Sequence, residues 1–399
     1  MRLTSLDVVN FRGYARAEVR FDPGVATLLG RNGQGKTNLV EAVGYVATLG
    51  SHRVATDTPL IRHGTDTAIV RTGVHRDGRD SLVELEIVAG RPNRARLNRS
   101  MLTRPRDVLG TLRTVLFAPE DLALVKGEPS ERRSFLDDLL VARQPRWSGV
   151  RHDYDKTLKQ RNAVLKSMRI GRGNGGRRGG DPAADDTTMA TLSVFDSHLA
   201  QIGAALSYAR LRLLHDLRPY LDEAYAQISA SDRDMSAAAT YRSSLHDDMA
   251  SQIARGAVPE QGELLEAILA TMQQRATAER ERGVSLVGPH RDDLQFFLGE
   301  TPAKGYASHG ESWSIALALR LASFQLLRHD LGTDPVLILD DVFAELDVGR
   351  RTRLADMVGD CEQVIVTAAV AQDVPDELVA GAIFDVVDQS VTARSAATS

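Results

Sequence analysis

The 399-residue chain carries 49 Lys+Arg against 53 Asp+Glu, a formal charge of −4 and 43% hydrophobic residues. That supports a sizeable core, in two or three domains or in one domain with a large insertion. A single cysteine, Cys361, excludes a disulfide framework and every multi-cysteine metal site, and points to a reducing cytosol. No stretch approaches the roughly 20 apolar residues of a membrane span. Met1-Arg2-Leu3-Thr4 leads straight into a strand-like pattern, so we expect a cytoplasmic protein with no targeting segment and no membrane contact.

The N-terminal segment is β-rich, with short apolar or alternating runs over 3–10, 17–21 and 25–29. After the third run comes Gly30-Arg31-Asn32-Gly33-Gln34-Gly35-Lys36-Thr37, which fits G-x-x-x-x-G-K-[ST] and opens a helix over 38–49, beginning at Asn38. In that context the glycines let backbone N–H groups curl around phosphate oxygens. The Lys36 ammonium reaches the β- and γ-phosphates, the Thr37 hydroxyl ligates Mg²⁺, and the helix N-terminus adds its dipole. Only 6 of the 49 basic residues are lysines, so background lysine density does not account for Lys36. This loop is read as a nucleotide site.

Further strands are predicted over 67–74 and 82–88, joined at Asp77-Gly78. Between 91 and 106 stand six arginines and no acid. Among them Arg94, Arg96, Arg99 and Arg104 are candidates for contact with DNA phosphates, the other reading being a solvated hairpin face. Aromatic residues do not interleave with this cluster, so duplex backbone binding is expected over base stacking.

From about 131 to 283 the pattern turns helical, over 132–141, 152–168, 188–220 and 264–282. The Gly/Arg-rich 171–187 stretch has too few apolar residues to bury and is expected to be a flexible tip. The span 143–178 holds 11 basic residues and two acids, whereas 247–266 holds five acids and one Arg. The basic half is a second DNA candidate, or it pairs with the acidic half across antiparallel helices.

Past 283 the α/β character returns, with strands expected over 284–287, 294–298, 336–339 and 364–366, and a helix over 313–327. The domain scheme is therefore 1–130 and 284–399 as two parts of one α/β domain, interrupted by a helical arm at 131–283. Ser308-His309-Gly310-Glu311 precedes the helix and reads equally as an anion site or as a Ser capping box. The apolar run Val336-Leu337-Ile338-Leu339 ends in Asp340-Asp341, as a buried strand delivering carboxylates would. One carboxylate can hold Mg²⁺ and the second can aim a water, which is what nucleotide hydrolysis needs. His290, beside Arg291 and Asp292, is read as part of a structural hydrogen-bond network rather than as a catalytic base.

The P-loop, the Ser-x-Gly before a helix, the apolar run into Asp340-Asp341 and the Glu345-Leu346-Asp347 that follows resemble the ABC-type ATPase heads. Five further stretches, in order, make the chain similar to the RecF family of recombination-mediator ATPases. They are Asn10-Phe11-Arg12, the 116–122 run LFAPEDL, the 132–137 run RRSFLD, the 288–293 run GPHRDD and the 340–347 run DDVFAELD.

The resemblance implies an α/β fold in which an ABC-type head is split in sequence by a short coiled-coil-like arm. It implies an ATP-dependent homodimer with composite sites. Lys36, Thr37 and Asp340 of one protomer would hold ATP and Mg²⁺, with Arg12 near the nucleotide. Ser308 and Gly310 of the other would close on the γ-phosphate, with Asp347 at the seam. It further implies DNA binding at gap junctions, RecR and RecO as partners and help in loading RecA. Hydrolysis is expected to be slow, because Asp341 is one methylene shorter than the Glu usual there, and because Thr367 stands where many relatives place a His and can bond phosphate without titrating. The alternative is a mainly structural DNA-binding protein that uses ATP only to dimerise. An arm of roughly 100 Å at most, at 1.5 Å per residue, argues against the long-armed chromosome-structuring relatives.

Overall fold

The computed structural model describes residues 1–173, 182–229, 236–379 and 381–394. Of the expected 171–187 tip, residues 174–181 lie outside them, whereas 171–173 and 182–187 are helical. In chain order, β1 (Arg2–Phe11) and β2 (Tyr14–Arg20) form a hairpin. Next, β3 (Gly24–Leu29) runs into the P-loop and α1 (Lys36–Thr48). A meander follows: β4 (Thr67–Arg76), β5 (Arg79–Val88), β6 (Arg94–Leu97) and β7 (Ser100–Met101). Asp77 and Gly78 take positive φ (50° and 72°) at the β4–β5 turn, the left-handed pair that matches strand twist in a tight hairpin. Together β2-β1-β4-β5-β6-β7 make one antiparallel sheet.

After β8 (Thr114–Phe117) the chain becomes helical through α2 (Leu122–Lys126), α3 (Pro129–Arg143), α4 (Trp147–Gly173) and α5 (Pro182–Ser229). It continues with β9 (Ala237–Arg242), α6 (Asp247–Ala254) and α7 (Gln261–Arg282), which Gly283 caps at φ 69°. Then come β10 (Asp293–Leu298), β11 (Thr301–Pro302), the single turn α8 (Ala303–Tyr306) and α9 (His309–Leu331). The chain closes with β12 (Val336–Asp340), α10 (Val348–Val358), β13 (Gln363–Ala368), α11 (Asp376–Val379), β14 (Ala382–Val387) and β15 (Ser390–Ala393).

The second sheet has the order β15-β14-β3-β13-β12-β8 and is parallel except for β15. All residues of β12 and β13 are buried, as expected of parallel strands covered on both faces. The two faces feed different cores. Val336, Ile338 and Ile365 pack toward α1 and the antiparallel sheet, while Leu337, Leu339, Val364 and Val366 pack toward α5 and α9.

Two expectations are corrected. Residues 284–287 form no strand, because the Ser285 N–H donates to Asn162 Oδ1 (2.7 Å) and the Leu286 N–H to Glu279 Oε1 (2.6 Å). Side chains thus satisfy the donors that a ladder would have used. Conversely, β9 lies inside the helical segment and pairs antiparallel with β10, making a third sheet, β11-β10-β9. The 131 boundary falls within α3, and the 48-residue α5 runs along α9 as well as α4 and α7. The helical segment is therefore sewn into the head at its base.

Candidate nucleotide-binding site

β3 delivers Gly30 to the edge of the parallel sheet, where a Cβ would collide with the Val386 carbonyl. Gly35 holds φ 111°, and a Cβ there would lie 2.7 Å from Tyr14 Oη. Both positions need glycine, for close approach in the first case and for strain as well in the second. Helix α1 starts with no side-chain cap and no acid in its first turn, which leaves its positive end available to an anion. Arg31, Asn32 and Gly33 are exposed at the loop tip, and Asn38 sits on the first turn of α1.

Lys36 is buried, with Nζ donating to Gly30 O (2.8 Å) and standing 3.7 Å from Asp341 Oδ1. Across the sheet, Asp340 ends β12, and its Oδ1 accepts from Thr37 (3.2 Å) and Thr367 (2.6 Å). Burial pushes the Asp340 carboxyl up to about 6, with Asp341 and Glu120 adding to the rise and the two threonine hydroxyls opposing it. A buried carboxylate that, among the described residues, is hydrogen-bonded by two hydroxyls alone is short of positive charge. Its oxygen-only donors suit a hard divalent cation. Among the described residues no cluster of three or more His, Cys, Asp or Glu could hold a metal alone. The site therefore fits a cation that takes its remaining ligands from phosphate and water.

Thr367 is fully buried, and its one proton is committed to Asp340 while its oxygen accepts the Asp341 N–H at 3.0 Å. Its hydroxyl thus bonds both aspartates. Asp341 itself takes φ 50°, turning its side chain back toward Lys36.

Arg12, also in the left-handed region (φ 53°), makes a bidentate pair with Glu41 on α1 (2.7 and 2.5 Å) and donates to Pro59 O (3.0 Å). Burial alone would raise the Glu41 carboxyl. Hydrogen bonds from Arg12 and Ser51, with the charges of Arg12 and Arg53, lower it instead. Arg12 lines an open recess beside the P-loop helix with Gly13, Asn38, Pro59 and Ile61.

Three features were not legible in the sequence. Strand β8 flanks β12, so Glu120 just beyond its end adds to the field at Asp340. The β14–β15 turn pins the P-loop tip, with Asp388 N donating to Gln34 Oε1 (2.5 Å) and Gln389 N to Gln34 O (3.3 Å). Arg350 lies against the second candidate element, the start of α9.

At that element Ser308 is the N-cap and forms a capping box with Glu311, Oγ accepting the Glu311 N–H (3.2 Å) and Ser308 N donating to Glu311 Oε2 (2.8 Å). The cap and the anion site are not exclusive, since Ser308 and Gly310 still present the helix N-terminus to solvent. Asp347 caps α10, and the Arg350 N–H it accepts holds its carboxyl low. The contacts of Ser308 and Gly310 lie within α9 and at Arg350, whereas those of the P-loop lie at Asp340, Asp341, Val386 and Tyr14. Within one protomer the two elements share none of these partners.

Arg94 and Arg96 lie on the exposed side of β6, with Ala95 turned inward, Arg99 between β6 and β7, and Arg104 beyond β7. Arg96 pairs with Glu84 (2.8 Å), Arg94 with Glu86 (3.6 Å) and Arg104 with Asp107 (3.4 Å), while Arg99 sits in a turn at φ 70°. The 91–106 window contains no acid before Asp107, but β5 brings two alongside. In the arm, Arg143 pairs with Asp216 and Asp330, Arg151 with Asp138, and Arg161 with Asp196 and Glu279. His290 accepts from Tyr154 Oη at Nδ1 (2.7 Å) and donates from Nε2 to Ser285 O (3.2 Å). Burial, with Arg291, Arg133 and Arg161 nearby, lowers it to about 4, so it is a neutral member of a buried network.

Known proteins resemble this arrangement over its whole length. The family described as RecF/RecN/SMC N terminal domain matches residues 2–386. Proteins named DNA replication and repair protein RecF are similar in Streptomyces avermitilis, 54% identical over 98% of this chain and 99% of that protein, and in Kineococcus radiotolerans, 56% identical over 95% of each. A recombination mediator protein RecF of the RecFOR pathway, solved with ATPrS, superposes with a TM-score of 0.84 at 26% identity, covering 99% of this chain and 98% of that one. The same mediator solved with ATP superposes equally well. A Pyrococcus furiosus Smc head bound to ScpA, 16% identical with a TM-score of 0.51, shares the fold alone. With an ABC-type ATPase fold, a P-loop facing paired aspartates and full-length likeness to these repair proteins, the chain belongs to the RecF family.

Proposed function

We propose that the chain is an ATP-dependent DNA-binding recombination mediator of the cytoplasm. ATP joins two protomers on duplex DNA at single-strand gaps, and slow, DNA-stimulated hydrolysis releases them. The observation that carries this reading is the separation of a complete phosphate-and-cation half-site, Lys36, Thr37 and Asp340, from an uncovered helix start at Ser308 and Gly310. An anion held at the first is what the second lacks, and a second copy of the chain brings them together. Two large apolar side chains flank the helix-start face, Tyr306 at 74% exposed and Val348 at 78%. Exposed apolar groups beside a functional face suit an interface.

In this reading Thr37 and Asp340 hold Mg²⁺, which supplies charge neutralisation between the phosphates. Lys36 moves from Gly30 O onto the β- and γ-phosphates. Asp341 orients the attacking water, and Thr367 fixes both aspartates. Arg12 stands at the recess where the rest of the nucleotide lies, and Asp347 reaches the seam. The exposed arginines Arg94, Arg96, Arg99 and Arg104 contact the DNA backbone. Their pairs with Glu84, Glu86 and Asp107 are exposed or half-buried and cost little to break. RecR and RecO are the expected partners and RecA the recombinase loaded, by likeness to the mediator of the RecFOR pathway.

Binding of a gapped duplex with ATP, with ADP and without nucleotide tests the reading. DNA retained only with ATP and Mg²⁺, and released on turnover, supports it. Equal binding without nucleotide favours a structural DNA binder.

A further inference from the structure

The Ser-x-Gly start of α9 carries no cationic side chain of its own, yet one is folded against it from 40 residues further along. Arg350, on the first turn of α10, places its guanidinium 3.2 Å from the position a Cβ would take on Gly310. Asp347 holds it there from both sides, with Oδ1 accepting the Arg350 N–H (3.0 Å) and Oδ2 accepting from the guanidinium (2.6 Å). Tyr225 of α5 is within electrostatic reach of both Arg350 and Glu311.

A positive charge at the positive end of a helix is repelled by it; Asp347 and Glu311 offset that repulsion in the free protomer, and a phosphate bound between the two would offset it further. The Arg350 Nε is also buried without a hydrogen-bond partner. The guanidinium is thus satisfied at Nη1 by Asp347 while its Nε is left without a partner. Its fork geometry suits phosphate oxygens, which accept two parallel hydrogen bonds.

We propose that Arg350 is the cationic component of the composite ATP site, contacting in trans the γ-phosphate of a nucleotide held on the partner protomer's P-loop. The proposal rests on the two-protomer sandwich proposed above. Asp347 then acts as its resting partner, keeping the guanidinium at Gly310 before the second protomer arrives.

The test combines single variants with a mixing experiment. Arg350→Ala should weaken ATP-driven dimerisation and hydrolysis at least tenfold, as expected when a γ-phosphate arginine is removed. ATP affinity of the monomer should stay within about twofold, since the P-loop is untouched. Arg350→Lys should retain an intermediate level and controls for misfolding. An equimolar mixture of Lys36→Ala and Arg350→Ala should hydrolyse ATP well above either variant alone, because only a mixed dimer holds one complete site, with Lys36 from one protomer and Arg350 from the other. No recovery in the mixture means that Arg350 acts in cis or only structurally, and overturns the proposal. Wild-type dimerisation with unimpaired dimerisation and hydrolysis by Arg350→Ala overturns the role of Arg350 alone. A wild-type protein that stays monomeric in ATP removes the sandwich itself, and this proposal with it.

Discussion

Replacing Thr367 by Val keeps the shape of the side chain and deletes the hydroxyl that joins the two aspartates. Two hydrogen bonds are lost. The Asp341 N–H loses its acceptor at 3.0 Å, Asp340 loses its shortest donor at 2.6 Å, and both effects fall at a fully buried position. A buried donor left unpaired costs about 1–3 kcal/mol. Weakening one of two donors to an already desolvated carboxylate also pushes its pKa further up, toward neutral pH. We expect Thr367→Val to lower unfolding stability by about 2 kcal/mol, read as a shift of the denaturant midpoint at unchanged slope. The same change should lower Mg²⁺-dependent hydrolysis about 10- to 100-fold, the usual range when a residue orienting a metal ligand is removed. Thr367→Ser should restore both. Stability lost with hydrolysis intact would refute the orienting role. Hydrolysis abolished with stability unchanged would mean that Thr367 touches the phosphate after all.

Gly35→Ala should abolish nucleotide binding without unfolding the chain, since the strained φ and the contact with Tyr14 distort only the loop; fluorescent-nucleotide titration reads it. His290 is neutral in the fold at about 4 against 6.5 when unfolded, so the unfolded chain binds more protons between those values and stability falls as pH falls through that window. From pH 7 to pH 5 this one group accounts for about 2 kcal/mol, which a His290→Gln variant should not lose in denaturant titrations. Replacing Arg94, Arg96, Arg99 and Arg104 by Ala should reduce the slope of log affinity for duplex DNA against log salt by about 3–4. An unchanged slope would assign the DNA path to another surface.

How much could be read beforehand depended on distance along the chain. The P-loop occupies eight consecutive residues, each with its chemistry fixed by local geometry, so it was legible at once. Asp340 and Asp341 were legible because an all-buried strand announces itself as an apolar run. Glu120 was not, since its nearness to Asp340 follows from β8 lying beside β12, a fact of strand order rather than of spacing. The same holds for Arg350, whose guanidinium reaches Gly310 from the first turn of α10. The hairpin that braces Gln34 turns at Asp388 and Gln389, both at positive φ without a glycine to mark it. At the arginine cluster it was the pairing acids that a linear reading left out. A linear window shows 91–106 as purely basic, whereas cross-strand pairing supplies Glu84 and Glu86. The bonds Thr367 makes to Asp340 and Asp341 were not legible, because hydroxyl direction is set by the neighbours it bonds.

The central claim is that the P-loop of one protomer and the Ser308 helix start of another complete a single ATP site. Sedimentation of wild type, Lys36→Ala and Ser308→Ala, each with and without ATP and Mg²⁺, tests it most directly. The account predicts a dimer for wild type only in ATP, and monomers throughout for both variants. A Ser308→Ala protein that dimerises as readily as wild type would reduce that motif to a helix cap and contradict the composite site.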